Sequence, residues 1–313
     1  MQSQSDRKFR VNLTSFTKMN LLLSVFAVCF ITVLGDQCRT SVNLPDPKLG
    51  CCGVHLAASH TRDMGDTALN QYPWLALIED PNGRITCTGA LISSRYVLTA
   101  AQCGFREPKS IRFGEYNKTN SELDCLMVNG AKKCADRVLT VPIEYMKAHP
   151  EFSTQNPRLH DLALIKLKTS VPYTEYIRPI CLPSSDINTS PPKGRPLIVA
   201  GWGSKPSSLQ EDDVVKHFVE LPYKSLEQCK AAYEKYHPGH FTITNYQICA
   251  GGEKDRDSCR GDGGGPLMYE QNGHHTAVGV VSFGPKQCGT NGIPSVYTNV
   301  FKYMPWIRSV VRA

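Results

Sequence analysis

Past residue 72 the chain alternates short apolar runs with polar, turn-forming loops. Runs at 74–78, 90–98, 162–167, 197–200, 214–221, 277–283 and 296–300 are separated by segments rich in Gly, Pro, Asn and Ser. Many short strands punctuated in this way predict an antiparallel barrel or sandwich. Two segments depart from the pattern. Residues 225–236 read as a short helix with Ser225 as its cap and Glu227 in its first turn. Tyr303, Trp306, Ile307 and Val310 form one apolar face at helical spacing, which predicts a C-terminal α-helix packed on the body of the domain. Asp161 directly precedes the run at 162–167, so it stands at the mouth of a buried strand, a usual place for a functional carboxylate.

The amino end follows a different pattern. Arg7, Lys8, Arg10 and Lys18 precede an apolar run over 21–35. That run falls short of the roughly 20 residues that span a bilayer. A basic flank, an apolar stretch and then small residues predict a secretory signal peptide over 1–35, cleaved after Gly35. A retained signal anchor is the rival reading. Cleavage would leave a secreted, extracellular protein with no membrane association. Residues 36–64 are polar and turn-rich, with too few apolar residues for a domain, and read as a pro-segment or linker.

Composition adds limits. The 313 residues are 41% hydrophobic and 20% charged, a globular balance. The net charge of +7 is spread along the chain and no nucleic-acid motif accompanies it, so a weakly basic surface is expected and nucleic-acid binding is not. Of 13 cysteines, Cys29 lies in the signal segment, which leaves an even set, and in an exported chain that reads as disulfides. Spacing alone leaves the pairing open. No Cys-x-x-Cys repeats, His237, His240, His274 and His275 sit in loops, and so neither a metal nor a cofactor is expected. Asn117 and Asn188 head glycosylation sequons in polar loops.

The run Gly261-Asp262-Gly263-Gly264-Gly265-Pro266 resembles the Gly-Asp-Ser-Gly-Gly-Pro nucleophile loop of trypsin-like serine proteases, and Leu98-Thr99-Ala100-Ala101-Gln102-Cys103 resembles their Leu-Thr-Ala-Ala-His-Cys. His160-Asp161-Leu162-Ala163-Leu164-Ile165, Tyr72-Pro73-Trp74, Arg178-Pro179-Ile180-Cys181, Gly201-Trp202-Gly203 and Ser282-Phe283-Gly284 follow in family order, from about Cys52 to the C-terminus. Within the family the chain is similar to the arthropod clip-domain, Easter-like group. The resemblance implies an all-β fold of two six-stranded antiparallel β-barrels with a C-terminal helix, over residues 65–313. It also implies the pairs Cys52–Cys181, Cys87–Cys103, Cys125–Cys134, Cys229–Cys249 and Cys259–Cys288. Cys38 and Cys51 remain and are expected to pair with each other. A full clip module needs six upstream cysteines, so that module is vestigial or absent here.

The resemblance places Gln102, Asp161 and Gly263 at the catalytic triad. Acyl transfer needs a nucleophilic oxygen, a base to take its proton and a carboxylate to orient the base. Only Asp161 has the family's residue. The Gln102 amide has no basic nitrogen, and Gly263 has no oxygen to attack with. His160 next to Asp161 should leave on the opposite face, and Ser258 is displaced from the nucleophile position. Gly261 and Gly263 amides are expected to form the oxyanion hole. Asp257, Gly284 and Ser295 fall at the specificity pocket, where Ser295 replaces the usual Gly and narrows it. Asp257 is read either as a ligand for Arg or Lys or as a relic without one. Arg62 is the candidate activation cleavage site and Asp262 the carboxylate that would pair with the new terminus. The family's Ile-Val-Gly-Gly is missing at 61–64, which predicts a zymogen-like form. Glu115 could belong to a calcium loop, although single carboxylates are usually surface residues.

The leading functional expectation is therefore an inactive protease homologue, monomeric, that binds extracellular proteins such as cascade proteases or their substrates. An active trypsin-like endopeptidase and an adhesion or signalling ligand are the alternatives.

Overall fold

The computed structural model of the chain describes residues 43–45, 50–55, 64–120, 123–192, 194–206 and 213–311. Arg62, Cys38 and the signal segment lie outside the described residues. Sixteen strands are present among the described residues. The first nine are β1 (Met64–Asp66), β2 (Leu75–Glu79), β3 (Ile85–Ser93), β4 (Tyr96–Thr99), β5 (Ser110–Phe113), β6 (Cys125–Val128), β7 (Ala131–Cys134), β8 (Leu139–Ala148) and β9 (Ala163–Leu167). The rest are β10 (Leu197–Gly201), β11 (His217–Leu221), β12 (Tyr223–Lys224), β13 (Gln247–Gly251), β14 (Pro266–Gln271), β15 (His274–Phe283) and β16 (Pro294–Asn299). Helix α1 spans Leu226–Tyr236 and α2 spans Met304–Val311.

The strands form a closed six-stranded barrel, β2-β3-β4-β9-β8-β5, and an eight-stranded antiparallel sheet, β1-β11-β10-β14-β15-β16-β13-β12. The second layer thus gains two short strands, β1 and β12, over the six that the family resemblance implied. β6 and β7 form a separate hairpin. The run at 90–98 proves to be two strands, because Ser94 and Arg95 turn the chain between β3 and β4. The barrel interior is filled by Ile78, Leu91, Val97, Ile111, Phe113 and Ile165, all buried, and Met304, Ile307 and Val310 of α2 belong to the same hydrophobic cluster. α1 begins with a full capping box: Gln228 N donates to Ser225 Oγ, and Ser225 N donates to Gln228 Oε1.

All five disulfides implied by the resemblance are present: Cys52–Cys181, Cys87–Cys103, Cys125–Cys134, Cys229–Cys249 and Cys259–Cys288. Cys51 is also disulfide-bonded. Such a set fits an oxidising, extracellular location. No helix among the described residues is long and apolar enough to cross a membrane.

Candidate functional site

Strand register brings the first two site residues together. β4 pairs with β9 so that Thr99 faces Ala163, and the chain runs from Thr99 into a 3₁₀ turn, Ala101–Arg106, that carries Gln102. Asp161 lies two residues before Ala163, just ahead of the facing strand. The turn is anchored by Cys87–Cys103 and by Thr99, whose Oγ1 donates to Thr88 O at 2.8 Å. Asp161 is wholly buried. Its Oδ1 accepts the Gln102 amide N at 2.9 Å, and its Oδ2 accepts Gln102 Nε2 at 2.7 Å and Ser282 Oγ at 2.6 Å. Burial pushes the Asp161 carboxyl above its usual range, and the hydrogen bonds from Ser282 and Gln102 oppose that shift.

Gln102 Nε2 also donates to the Ser282 carbonyl at 2.7 Å. Both neighbours of the amide end are acceptors, so only the nitrogen can face them. Its two N–H bonds are thereby spent, one on Asp161 and one on Ser282. This is the third member of the arrangement that the sequence did not assign. Ser282 stands within one of the family-like motifs, but its double role, hydroxyl to Asp161 and carbonyl to Gln102, needs the β15 backbone in place.

Gly263 lies in the loop between Asp257 and β14. A β-carbon built on it meets nothing within 4 Å, so the site has room for a side chain and lacks one. Its neighbour Gly264 differs: φ is +83°, and a β-carbon there would lie 2.3 Å from Thr99 Oγ1 and 2.4 Å from Thr88 O. Only glycine fits that position. Neither the Gly261 nor the Gly263 amide donates to a protein acceptor among the described residues. Asp262 is buried. Its Oδ1 accepts Gly203 N at 3.0 Å and its Oδ2 accepts Cys259 N at 2.9 Å. A β-carbon on Gly203 would run into this carboxylate at 2.5 Å, which accounts for the glycine there.

Gln102, Gly261, Gly263 and Ser282 border a cleft of about 520 Å³. Asp257 is buried behind it, with Oδ2 accepting Gly289 N at 3.0 Å. Burial pushes the Asp257 carboxyl up to about 6, opposed first by the Gly289 hydrogen bond. Ser258 and Ser295 line the cleft and Asp257 does not. A β-carbon on Gly284 would lie 2.4 Å from Ser295 Oγ. The Ser295 hydroxyl therefore sits close against Gly284 within the cleft lining. Exposed Arg106, Arg260 and Lys286 complete the lining.

The trypsin family model matches residues 64–307. The chain belongs to the trypsin-like serine protease family. Over 294 residues it is 41% identical to the phenoloxidase-activating enzyme of Bombyx mori, covering 88% of this chain and 66% of that protein. It is 34% identical to CLIP domain-containing serine protease B8 of Anopheles gambiae, covering 82% of this chain and 67% of the relative. It therefore spans about two thirds of the length of these relatives. The crystal structure of the Drosophila Grass clip serine protease of the Toll pathway superposes with a TM-score of 0.71 at 33% identity, covering 83% of this chain and 74% of that one.

Glu115 is buried and ion-paired with Arg112 at 3.2 Å, while accepting Tyr116 N at 3.0 Å. Arg112 also pairs with Glu79. The Glu115 carboxylate is thus balanced from within the protein. Asn188 is committed to packing, its Nδ2 donating to Gln247 O at 2.8 Å and its Oδ1 accepting Tyr223 OH at 3.1 Å. Asn117 uses only Oδ1, which accepts from Thr119.

Proposed function

We propose that this chain is a secreted, catalytically inactive member of its family that binds proteins as a cofactor, adaptor or decoy in an extracellular proteolytic cascade. The observation that carries the reading is the amide of Gln102 held between Asp161 and the Ser282 carbonyl, opposite a Gly263 that has no side chain. An amide so held has no lone pair of useful basicity, and no hydroxyl exists for it to activate. In another serine protease, removal of the nucleophile or the base alone costs on the order of 10⁶ in turnover. What is left is a cleft with two unspent backbone amides at Gly261 and Gly263, which can bind an oxyanion without turning it over.

The cleft's charge supports binding of an acidic segment. Arg106, Arg260 and Lys286 line it, and the carboxylate of Asp257 is set back behind Ser295. Similar proteins include the phenoloxidase-activating enzyme of Bombyx mori, Melanization protease 1 of Drosophila melanogaster and the Grass clip protease of the Toll pathway, so partners are proposed among cascade proteases and their substrates. The layout proposed is a signal peptide at 1–35, a linker at 36–64 and the homologue domain at 65–313, with Arg62 as a site for another trypsin-like enzyme. Cleavage there would place the new Asp63 terminus, with its own carboxylate, near Asp262, and like charges resist burial together. Glycans are proposed on Asn117 and Asn188; Asn188 Nδ2 donates one of its two N–H bonds to Gln247 O and keeps the other.

The test is a reconstituted cascade of one active clip protease and its proenzyme substrate. The chain is expected to change the rate of proenzyme cleavage at stoichiometric concentration and to cleave nothing by itself. An unchanged rate, together with no measurable binding to either component, would overturn the proposal.

A further inference from the structure

Away from the cleft lining, three side chains from two stretches of chain converge. His149 and Glu151 follow β8, and His160 arrives on the turn that leads into Asp161. Glu151 Oε2 lies 3.5 Å from His160 Nδ1 and 3.9 Å from His149 Nδ1. One ligand atom from each residue falls within 4.8 Å of the other two. In a tetrahedral zinc site with bonds of about 2.0–2.2 Å, ligand atoms are roughly 3.3–3.6 Å apart. The distance from Glu151 to His160 already matches, and the one to His149 can close by rotation of Glu151, whose side chain is 66% exposed.

The two imidazoles are held by an aromatic frame. The His149 ring meets Tyr303 and Trp306 edge to face, with centroids at 4.9 and 5.1 Å, and it stacks on His160 at 5.7 Å. The His160 ring packs on Tyr246 at 5.4 Å. His160 also adopts φ +53°, a left-handed conformation that costs free energy for any residue with a β-carbon.

We propose that His149, Glu151 and His160 form a zinc site of two imidazoles and one carboxylate, with a fourth position open to solvent. This donor set suits zinc, and three protein ligands with one open position is a known zinc arrangement. Binding through the Nδ1 atoms exchanges two hydrogen bonds that those atoms now take part in, one at 3.3 Å from the Glu151 amide and one at 3.1 Å with the Tyr303 hydroxyl. That exchange makes the site weaker than a closed four-ligand centre. Because His160 is bonded to Asp161, a bound ion braces the turn that presents Asp161 to Gln102.

The test is calorimetric titration of zinc chloride into the full secreted chain after treatment with chelator, with cobalt absorption as a second readout of tetrahedral geometry. Three variants accompany the unaltered chain: Glu151→Gln, His160→Asn and a His237→Asn, His240→Asn pair. One ion per chain is expected. Binding should weaken at least about tenfold in Glu151→Gln and in His160→Asn, with loss of the cobalt spectrum, and stay unchanged in the loop pair. Glu151 is exposed, so its variant reports on binding without disturbing the fold. Absence of binding, or binding unaffected by Glu151→Gln and His160→Asn, or binding lost only in the loop pair, would overturn the site.

Discussion

Gln102 carries no charge at any pH, so its hydrogen bonds to Asp161 and Ser282 persist where an imidazole would titrate. The pair now serves structure. Gln102→Ala would remove two donors from buried acceptors, and a loss of about 1–3 kcal/mol is expected in denaturant unfolding. A change below about 0.5 kcal/mol would show that water replaces the amide without penalty. Asp257 behaves in the opposite sense to most paired carboxylates. Its folded pKa of about 6 lies above the ordinary 3.8, so the folded chain holds the proton more tightly than the unfolded one. Between those two values, rising pH therefore erodes stability, and the full cost is present above about pH 6. Asp257→Asn is expected to be neutral near pH 4 and stabilising by about 1–3 kcal/mol at pH 7.5. An equal effect at both pH values would contradict the assigned burial. Ser295 belongs to the same small region. Ser295→Gly should open the pocket and tighten binding of benzamidine, a mimic of the arginine side chain, by about tenfold or more in a competition assay. Unchanged affinity would mean that Asp257 is closed off by something other than this hydroxyl.

At the level of elements, legibility followed burial. The runs at 162–167, 197–200 and 277–283 became β9, β10 and β15 because continuous apolar residues mark strands buried on both faces. The strands passed over are less apolar on one side. β8 alternates buried or half-buried residues with exposed Thr140, Pro142 and Glu144, and β6 and β7 are exposed along most of their length. α1 was readable from Ser225, although the reciprocal role of Gln228 was not recognised. The candidate site divides the same way. Gln102, Asp161 and Gly263 stood out through flanking motifs, whereas Ser282 enters through a backbone carbonyl that no residue type announces. His149, Glu151 and His160 were invisible as a group because only the β8–β9 pairing brings them side by side. The exposed β6–β7 hairpin, closed by Cys125–Cys134, pairs with neither large sheet. Replacing both cysteines by serine should leave the global unfolding midpoint nearly unchanged while raising hydrogen exchange within 123–135. A large fall in midpoint would show that the hairpin supports the barrel.

At the scale of the whole molecule, the trypsin-like fold is kept intact around a centre proposed to be silent. The barrel, the eight-stranded sheet and the five disulfides are in place. The changes concentrate at Gln102, Gly263 and Ser295 and at the 61–64 segment, so restoring one function would leave the others altered. Catalytic silence is therefore the claim on which the rest depends. It is tested most directly by treating the purified secreted chain with a trypsin-like activator that cuts after Arg62, then measuring hydrolysis of an arginine peptide substrate together with labelling by a serine-directed phosphonate. The account predicts no turnover above the activator-only control and no label on the chain. Turnover that rises with chain concentration, with label on the 255–265 loop, would contradict it.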